Sequence, residues 1–162
     1  MIENLNIYNF REDDQEDDEE IISDLKNSEQ KKINSKHFYD EKGSQLFDMI
    51  SELKEYYPTR TEIEIIENQK YSFKNKLPSN ASIIEFGSGS NKKIKKLLNA
   101  LNNPKEYISI DISYDFLLVN AKEIAKKYPE LNVKAICADL YQLESIRKII
   151  NNNSQKIGFF PG

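Results

Sequence analysis

Two different spacings of apolar residues divide the chain near Leu77-Pro78-Ser79-Asn80, a short polar breaker. Before the breaker the spacing is helical. In KGSQLFDMISELKEYY the residues Leu46, Phe47, Met49, Ile50 and Leu53 fall on one helix face. Pro58 then stands in the first turn of a second predicted helix, PTRTEIEIIENQKYSF, with Ile63, Ile65 and Ile66 as its buried stripe. After the breaker, short apolar runs at 82–86, 107–111, 133–137 and 156–160 predict strands. Amphipathic stretches at 92–102, 114–127 and 140–150 predict helices between them. This alternation predicts an α/β fold: a parallel, doubly wound sheet of about four strands with right-handed crossovers, preceded by a helical segment.

Charge adds a third region. In REDDQEDDEE, residues 11–20, eight residues are acidic and one is basic; setting them aside turns the formal net charge of −4 into +3. A block that repels itself and offers no apolar face reads as a solvated tail rather than as a docking site for a basic partner. The expected organisation is therefore an acidic, disordered tail over 1–30, a helical segment over 31–78 and a sheet-forming core over 79–162.

Composition mainly excludes. The chain of 162 residues, 38% apolar and 31% charged, is long enough for one buried core and unlike disordered or fibrous sequences. No apolar run is long enough to cross a bilayer, and MIENLNIYNF lacks the basic start and apolar stretch of a signal peptide, so a soluble, cytoplasmic protein is expected. Cys137 and His37 are the sole cysteine and histidine, which excludes an internal disulfide and argues against a Cys/His zinc site. The lysines are scattered over several helices, with no basic stripe to suggest nucleic acid.

The candidate chemistry gathers around SIIEFGSGSNKKIKKLL, residues 82–98. Gly87 and Gly89 allow a tight turn and close backbone approach where the first core strand ends, and the next helix starts with free N–H groups. Alone, such a turn is as consistent with plain structure as with a ligand. Asp111 ends the second predicted core strand, 24 positions after Gly87, where a carboxylate meets a ribose diol in this architecture; it also suits a helix cap or loop. Asp139, in ICADL, suits an adenine amino group, with Leu140 beside it to cover the ring. Glu85 places a charge at the end of a buried strand, which calls for hydrogen-bond partners. Lys92 stands where a dinucleotide fingerprint has its third glycine, which disfavours nicotinamide and flavin cofactors and weakens an oxidoreductase reading. An adenosine-bearing ligand without a pyrophosphate fits better, and S-adenosylmethionine is the common one.

The segment SKHFYDEKGSQLFDMISELKEYYPTRTEIEII, residues 35–66, resembles the N-terminal signature of the histidine-specific, S-adenosylmethionine-dependent methyltransferases. That family includes the ergothioneine-pathway enzyme that trimethylates the α-amino group of histidine. The resemblance continues through IIEFGSGSNKKIKKLL, SIDIS and ICADL in the same order and covers about residues 32–162. It implies a Rossmann-like class I methyltransferase core and S-adenosylmethionine as cofactor. By position it implies cofactor contacts at Gly87 and Lys93, a ribose-binding Asp111 and an adenine-binding pair, Asp139 and Leu140. It also implies a substrate-contacting Tyr56 and pocket-lining Tyr39 and Phe47, although Phe47 suits helix packing equally well. It supplies no catalytic residue and no metal ligand.

The resemblance stops at FFPG, where the family continues into a substrate-holding asparagine loop and further segments. The expectation is an N-terminal portion of a histidine-type α-N-methyltransferase, with a histidine-like amino acid and a complementary C-terminal polypeptide as partners. The alternative is a non-catalytic cofactor-binding or interaction fragment, half of a split enzyme.

Overall fold

A computed structural model describes residues 2–11, 15–26, 29–140, 142–150 and 153–161. Five strands, β1 (Leu5–Asn9), β2 (Ser82–Phe86), β3 (Glu106–Asp111), β4 (Asn132–Cys137) and β5 (Lys156–Phe159), pair in parallel in the order β1-β4-β3-β2-β5. The helices are α1 (Gln15–Lys26), α2 (Glu41–Ser51), α3 (Pro58–Asn68), α4 (Lys70–Lys76), α5 (Lys92–Ala100), α6 (Tyr114–Lys127) and α7 (Leu143–Ile150), with a 3-10 turn at Ser35–Phe38. Among the described residues no helix is long and apolar enough to cross a membrane.

The central strands SIIEF and EYISID are buried almost throughout. Their β-branched residues suit a parallel sheet covered on both faces. On one face, Ile83, Tyr107, Val133 and Ala135 pack with Ile94, Leu97 and Leu98 of α5, Leu117 and Ile124 of α6 and Ile66 of α3. On the other, Ile84, Ile108, Ile110 and Ile136 pack with Ile146 of α7. Alternate residues of each strand feed opposite clusters because successive side chains point to opposite faces.

The sheet has five strands, where the apolar runs after the breaker predict about four. The additional strand is β1, inside the stretch expected to be a disordered tail, and it pairs along β4 from Leu5↔Val133 to Asn9↔Cys137. Leu5 joins the first cluster, while Tyr8 and Phe10 join the second. Asn4 adds a polar anchor: its side-chain amide donates to the carbonyls of Ala125, Tyr128 and Leu131 at 2.9–3.1 Å, around the end of α6. LNIYN is too short and too polar to stand out beside the acidic run, yet an edge strand needs few buried side chains. Of the acidic run itself, residues 12–14 lie outside the described residues and residues 15–20 belong to α1.

The N-terminal helices also depart from their predicted faces. The second predicted helix breaks at Gln69 into α3 and α4, and Ile65, expected in the buried stripe, is 53% exposed. On α2, Leu46, Met49 and Ile50 point outward, as does Leu53 just beyond its end; Met49 is 67% exposed. Ion pairs join this helical layer to α5: Lys92 with Asp48 at 2.9 Å and with Glu52, Lys93 with Glu62, and Lys96 with Glu67. The more exposed of these, such as Lys96 with Glu67, contribute at most about 1 kcal/mol each, whereas Lys93 is buried.

Candidate functional site

The β2–α5 loop turns through left-handed backbone at Gly87 (φ 65°) and Gly89 (φ 42°), a region that side chains disfavour. The Gly87 and Ser88 amides both donate to the Ile110 carbonyl, at 2.9 and 3.2 Å, which fastens the loop to β3. Asp111 completes the fastening. One of its carboxylate oxygens accepts from the Gly89 amide at 3.2 Å and the other from the Ser113 amide at 2.9 Å. Burial raises the Asp111 pKa, opposed by these backbone N–H groups and that of Ile112. Loop-holding and ligand-binding roles are compatible here, since a carboxylate has about four acceptor positions.

A cavity of about 620 Å³ opens above the carboxyl ends of the central strands. Gly87, Lys93, Asp111, Asp139 and Leu140 all line it, and Tyr39 and Phe47 line it from the helical layer. Tyr56 is not among the lining residues. Its ring stands edge-on to Phe47 (5.8 Å, 81°), which in turn meets Tyr39 (6.1 Å, 67°), so Tyr56 lies one ring behind the wall. Phe47 therefore both packs and lines. The turn carrying Tyr56 is held by Arg60, whose guanidinium donates to the carbonyls of Leu53 (2.8 Å), Lys54 (2.5 Å) and Tyr56 (3.3 Å).

Several lining residues were not singled out by motif. Ser44, Asp48 and Ser51 line the cavity from α2 beside Phe47, the four falling at spacing i, i+3, i+4, i+7. Ser44, Asp48 and Ser51 are the small and polar side of the helix in the sequence. It faces inward because it borders a cavity, and the apolar side faces out. Ser88 also lines the cavity, and its buried Oγ makes no hydrogen bond to any described residue.

Glu85 lies beneath the glycine loop, lines the cavity and is 1% exposed. The Tyr107 hydroxyl donates to its carboxyl. Burial pushes the Glu85 pKa up to about 8, with the Tyr107 hydrogen bond opposing, Asp111 adding to the rise and Lys93 opposing it. This predicts a pH dependence. Between the ordinary carboxyl value of 4.5 and about 8, the folded chain keeps a proton that the unfolded chain loses. Stability then falls as pH rises through that window, by up to about 1.4 kcal/mol per pH unit. Urea unfolding at pH 5.5 and 7.5 is expected to show the fall in the parent and a flatter profile in Glu85→Gln. Equal slopes would remove Glu85 as the source.

The cavity suits an adenosine-bearing ligand on structural grounds. At Gly87 an added Cβ would meet nothing within 4 Å, so the space before the loop is open. A buried serine hydroxyl without a hydrogen bond stands in that loop, and acceptor carboxylates at Asp111 and Asp139 belong to the same cavity.

Comparison with known proteins agrees with the geometry. The family described as "Histidine-specific methyltransferase, SAM-dependent" matches residues 17–162. Histidine N-alpha-methyltransferase of Mycobacterium tuberculosis (strain CDC 1551 / Oshkosh) is 34% identical over 112 residues, which are 67% of this chain and 35% of that protein. The Mycolicibacterium smegmatis protein of the same name shows the same identity and coverage. Ergothioneine biosynthesis protein 1 of Neurospora crassa is 42% identical over 82 residues, 49% of this chain and 9% of that protein. The match thus spans about a third of the bacterial relatives' length. With the glycine loop, the two carboxylates and the aromatic wall around one cavity, the chain belongs to the histidine-specific, S-adenosylmethionine-dependent methyltransferases.

Proposed function

We propose that the chain binds S-adenosylmethionine in this cavity and forms the cofactor side of an α-N-methyltransferase for histidine or a related amino acid. The observation that carries the reading is the single cavity shared by Gly87, Lys93, Asp111, Asp139 and Leu140, with Tyr39 and Phe47 opposite. In this reading residues 79–162 hold the cofactor, residues 31–78 form one substrate wall, and the site operates in the cytoplasm. When bound, S-adenosylmethionine supplies a methyl group activated by a sulfonium. Asp111 accepts from the ribose hydroxyls while keeping the Gly89 amide in place. Asp139 accepts from the adenine amino group, and Leu140 covers the ring. Lys93, paired with Glu62, ties the cofactor side to α3. Tyr39 and Phe47 exclude water from the reacting side, with Tyr56 fixing the Phe47 ring from behind. None of the described residues is assigned to orienting the substrate amine.

We further propose a complementary polypeptide as partner. Two observations favour it: the outward apolar side of α2, and an edge strand, β5, that pairs only with β2 among the described strands and is followed by Phe160 at 74% exposure. An apolar helix face and an open strand edge are both surfaces that a second polypeptide would cover.

Calorimetric titration of the purified chain with S-adenosylmethionine tests the cofactor reading. One saturable site per chain, competed by S-adenosylhomocysteine, is the expected result. No heat at millimolar ligand would overturn it.

A further inference from the structure

β1 precedes the segment that matches the family, yet its exit touches the loop that carries Asp139. Phe10, just beyond β1, is pinned by its amide, which donates to the Cys137 carbonyl at 2.8 Å. Its own carbonyl accepts from the Gln142 side-chain Nε2 at 3.0 Å. The other end of that amide, Oε1, accepts from the Asp139 backbone N–H at 3.1 Å, and the Gln142 backbone N–H returns to the Asp139 carbonyl at 2.9 Å. On the far side, the Ala138 amide donates to the Asp111 carbonyl at 3.1 Å. Arg11 lies over the Tyr114 ring at 4.8 Å, which further anchors the exit of β1.

The polarity of this bridge is specific. A backbone carbonyl only accepts and a backbone N–H only donates, so the group between Phe10 and Asp139 must donate at one end and accept at the other. A primary amide does both. A carboxylate would set oxygen against the Phe10 carbonyl, and an aliphatic side chain would leave both backbone groups without this partner.

We propose that the N-terminal strand, acting through Gln142 as a positioning residue, fixes the Asp139 loop and so determines selectivity for a 6-amino over a 6-oxo purine. This rests on the reading that Asp139 accepts from the adenine amino group. A carboxylate held in one place gains a hydrogen bond from an amino group and meets repulsion from a carbonyl at the same position. A carboxylate on a loosened loop turns away from the carbonyl, and the preference shrinks. Selectivity therefore depends on how rigidly the loop is held, and β1 supplies that hold.

The test uses the full 162-residue chain and two probes, S-adenosylhomocysteine and its 6-oxo counterpart, S-inosylhomocysteine, titrated calorimetrically. The readout is the ratio of the two dissociation constants, which is insensitive to a lowered fraction of folded chain because both probes see the same fraction. The parent is expected to prefer the adenosyl ligand. Gln142→Leu and Gln142→Glu are both expected to reduce that preference about tenfold, mainly by weakening the adenosyl ligand. Either variant suffices if the other fails to fold. A parent that discriminates, with variants that keep its ratio, overturns the role of Gln142 and β1 while leaving the cofactor reading intact. A parent that binds both probes equally overturns the Asp139 assignment and this proposal with it. A parent that binds neither overturns the cofactor reading as a whole.

Discussion

Incubated with histidine and S-adenosylmethionine, the 162-residue chain on its own is expected to yield no multiple-turnover formation of mono-, di- or trimethylhistidine. The argument is geometric. Alignment of nucleophile and electrophile supplies roughly 7–11 kcal/mol of barrier reduction in well-ordered sites, and a misplacement of about 1 Å costs on the order of a hundredfold. In the proposed reading the substrate side of the cavity comes from the helical layer, where Tyr39 and Phe47 line the cavity and Tyr56 stands one ring behind. An amine resting against that wall alone samples many unreactive orientations. Losing roughly 7 kcal/mol of alignment lowers a median rate of about 10 s⁻¹ by on the order of 10⁵, to less than about one turnover per hour. Mass spectrometry of the products decides the matter. Repeated turnover by the isolated chain would show that the described residues include an amine-orienting group.

Asp111→Ala is expected to weaken S-adenosylmethionine binding at least tenfold. A hydrogen bond to a charged group contributes about 1.5–3 kcal/mol, and in the proposed reading Asp111 accepts from the ribose hydroxyls. The structure adds a second loss. The same carboxylate holds the Gly89 and Ser113 amides, so alanine also releases the glycine loop. Asp111→Asn separates the two effects, because an amide keeps one acceptor oxygen and loses the charge. An intermediate affinity for Asn is expected by calorimetry. Wild-type affinity in both variants would remove Asp111 from the site.

The core was legible wherever burial on both faces forced continuous apolar strands, as in SIIEF and EYISID. Runs of that kind have few alternatives in a sequence with this alternation. β1 was not legible, because an edge strand of five residues is specified by its partner more than by its own composition. On α2 the helix itself was plain but its orientation was not. Apolar spacing marks a face that prefers to leave water, and without the cavity in view nothing says that Ser44, Asp48 and Ser51 form the inner side. Of the site, the glycines and the strand-end carboxylates follow from topology, since ligands gather at the carboxyl ends of parallel strands. Arg60 and Gln142 were silent because they bind backbone carbonyls and amides, which leave no trace in the pattern of side chains.

The register between β1 and β4 has a temporal consequence. Leu5 meets Val133, and the Gln142 amide reaches Phe10 across 132 positions of chain. At roughly 5–20 residues per second of synthesis, the first strand waits on the order of ten seconds before its partner exists. Closure of so long a loop is slow compared with the local βα pairings around it. Until that loop closes, the outer edge of β4 is bare and the Asp139 loop lacks its brace. A late long-range contact is thus the one that braces the Asp139 end of the cavity, so ligand-competent molecules should emerge after the local βα pairings have formed.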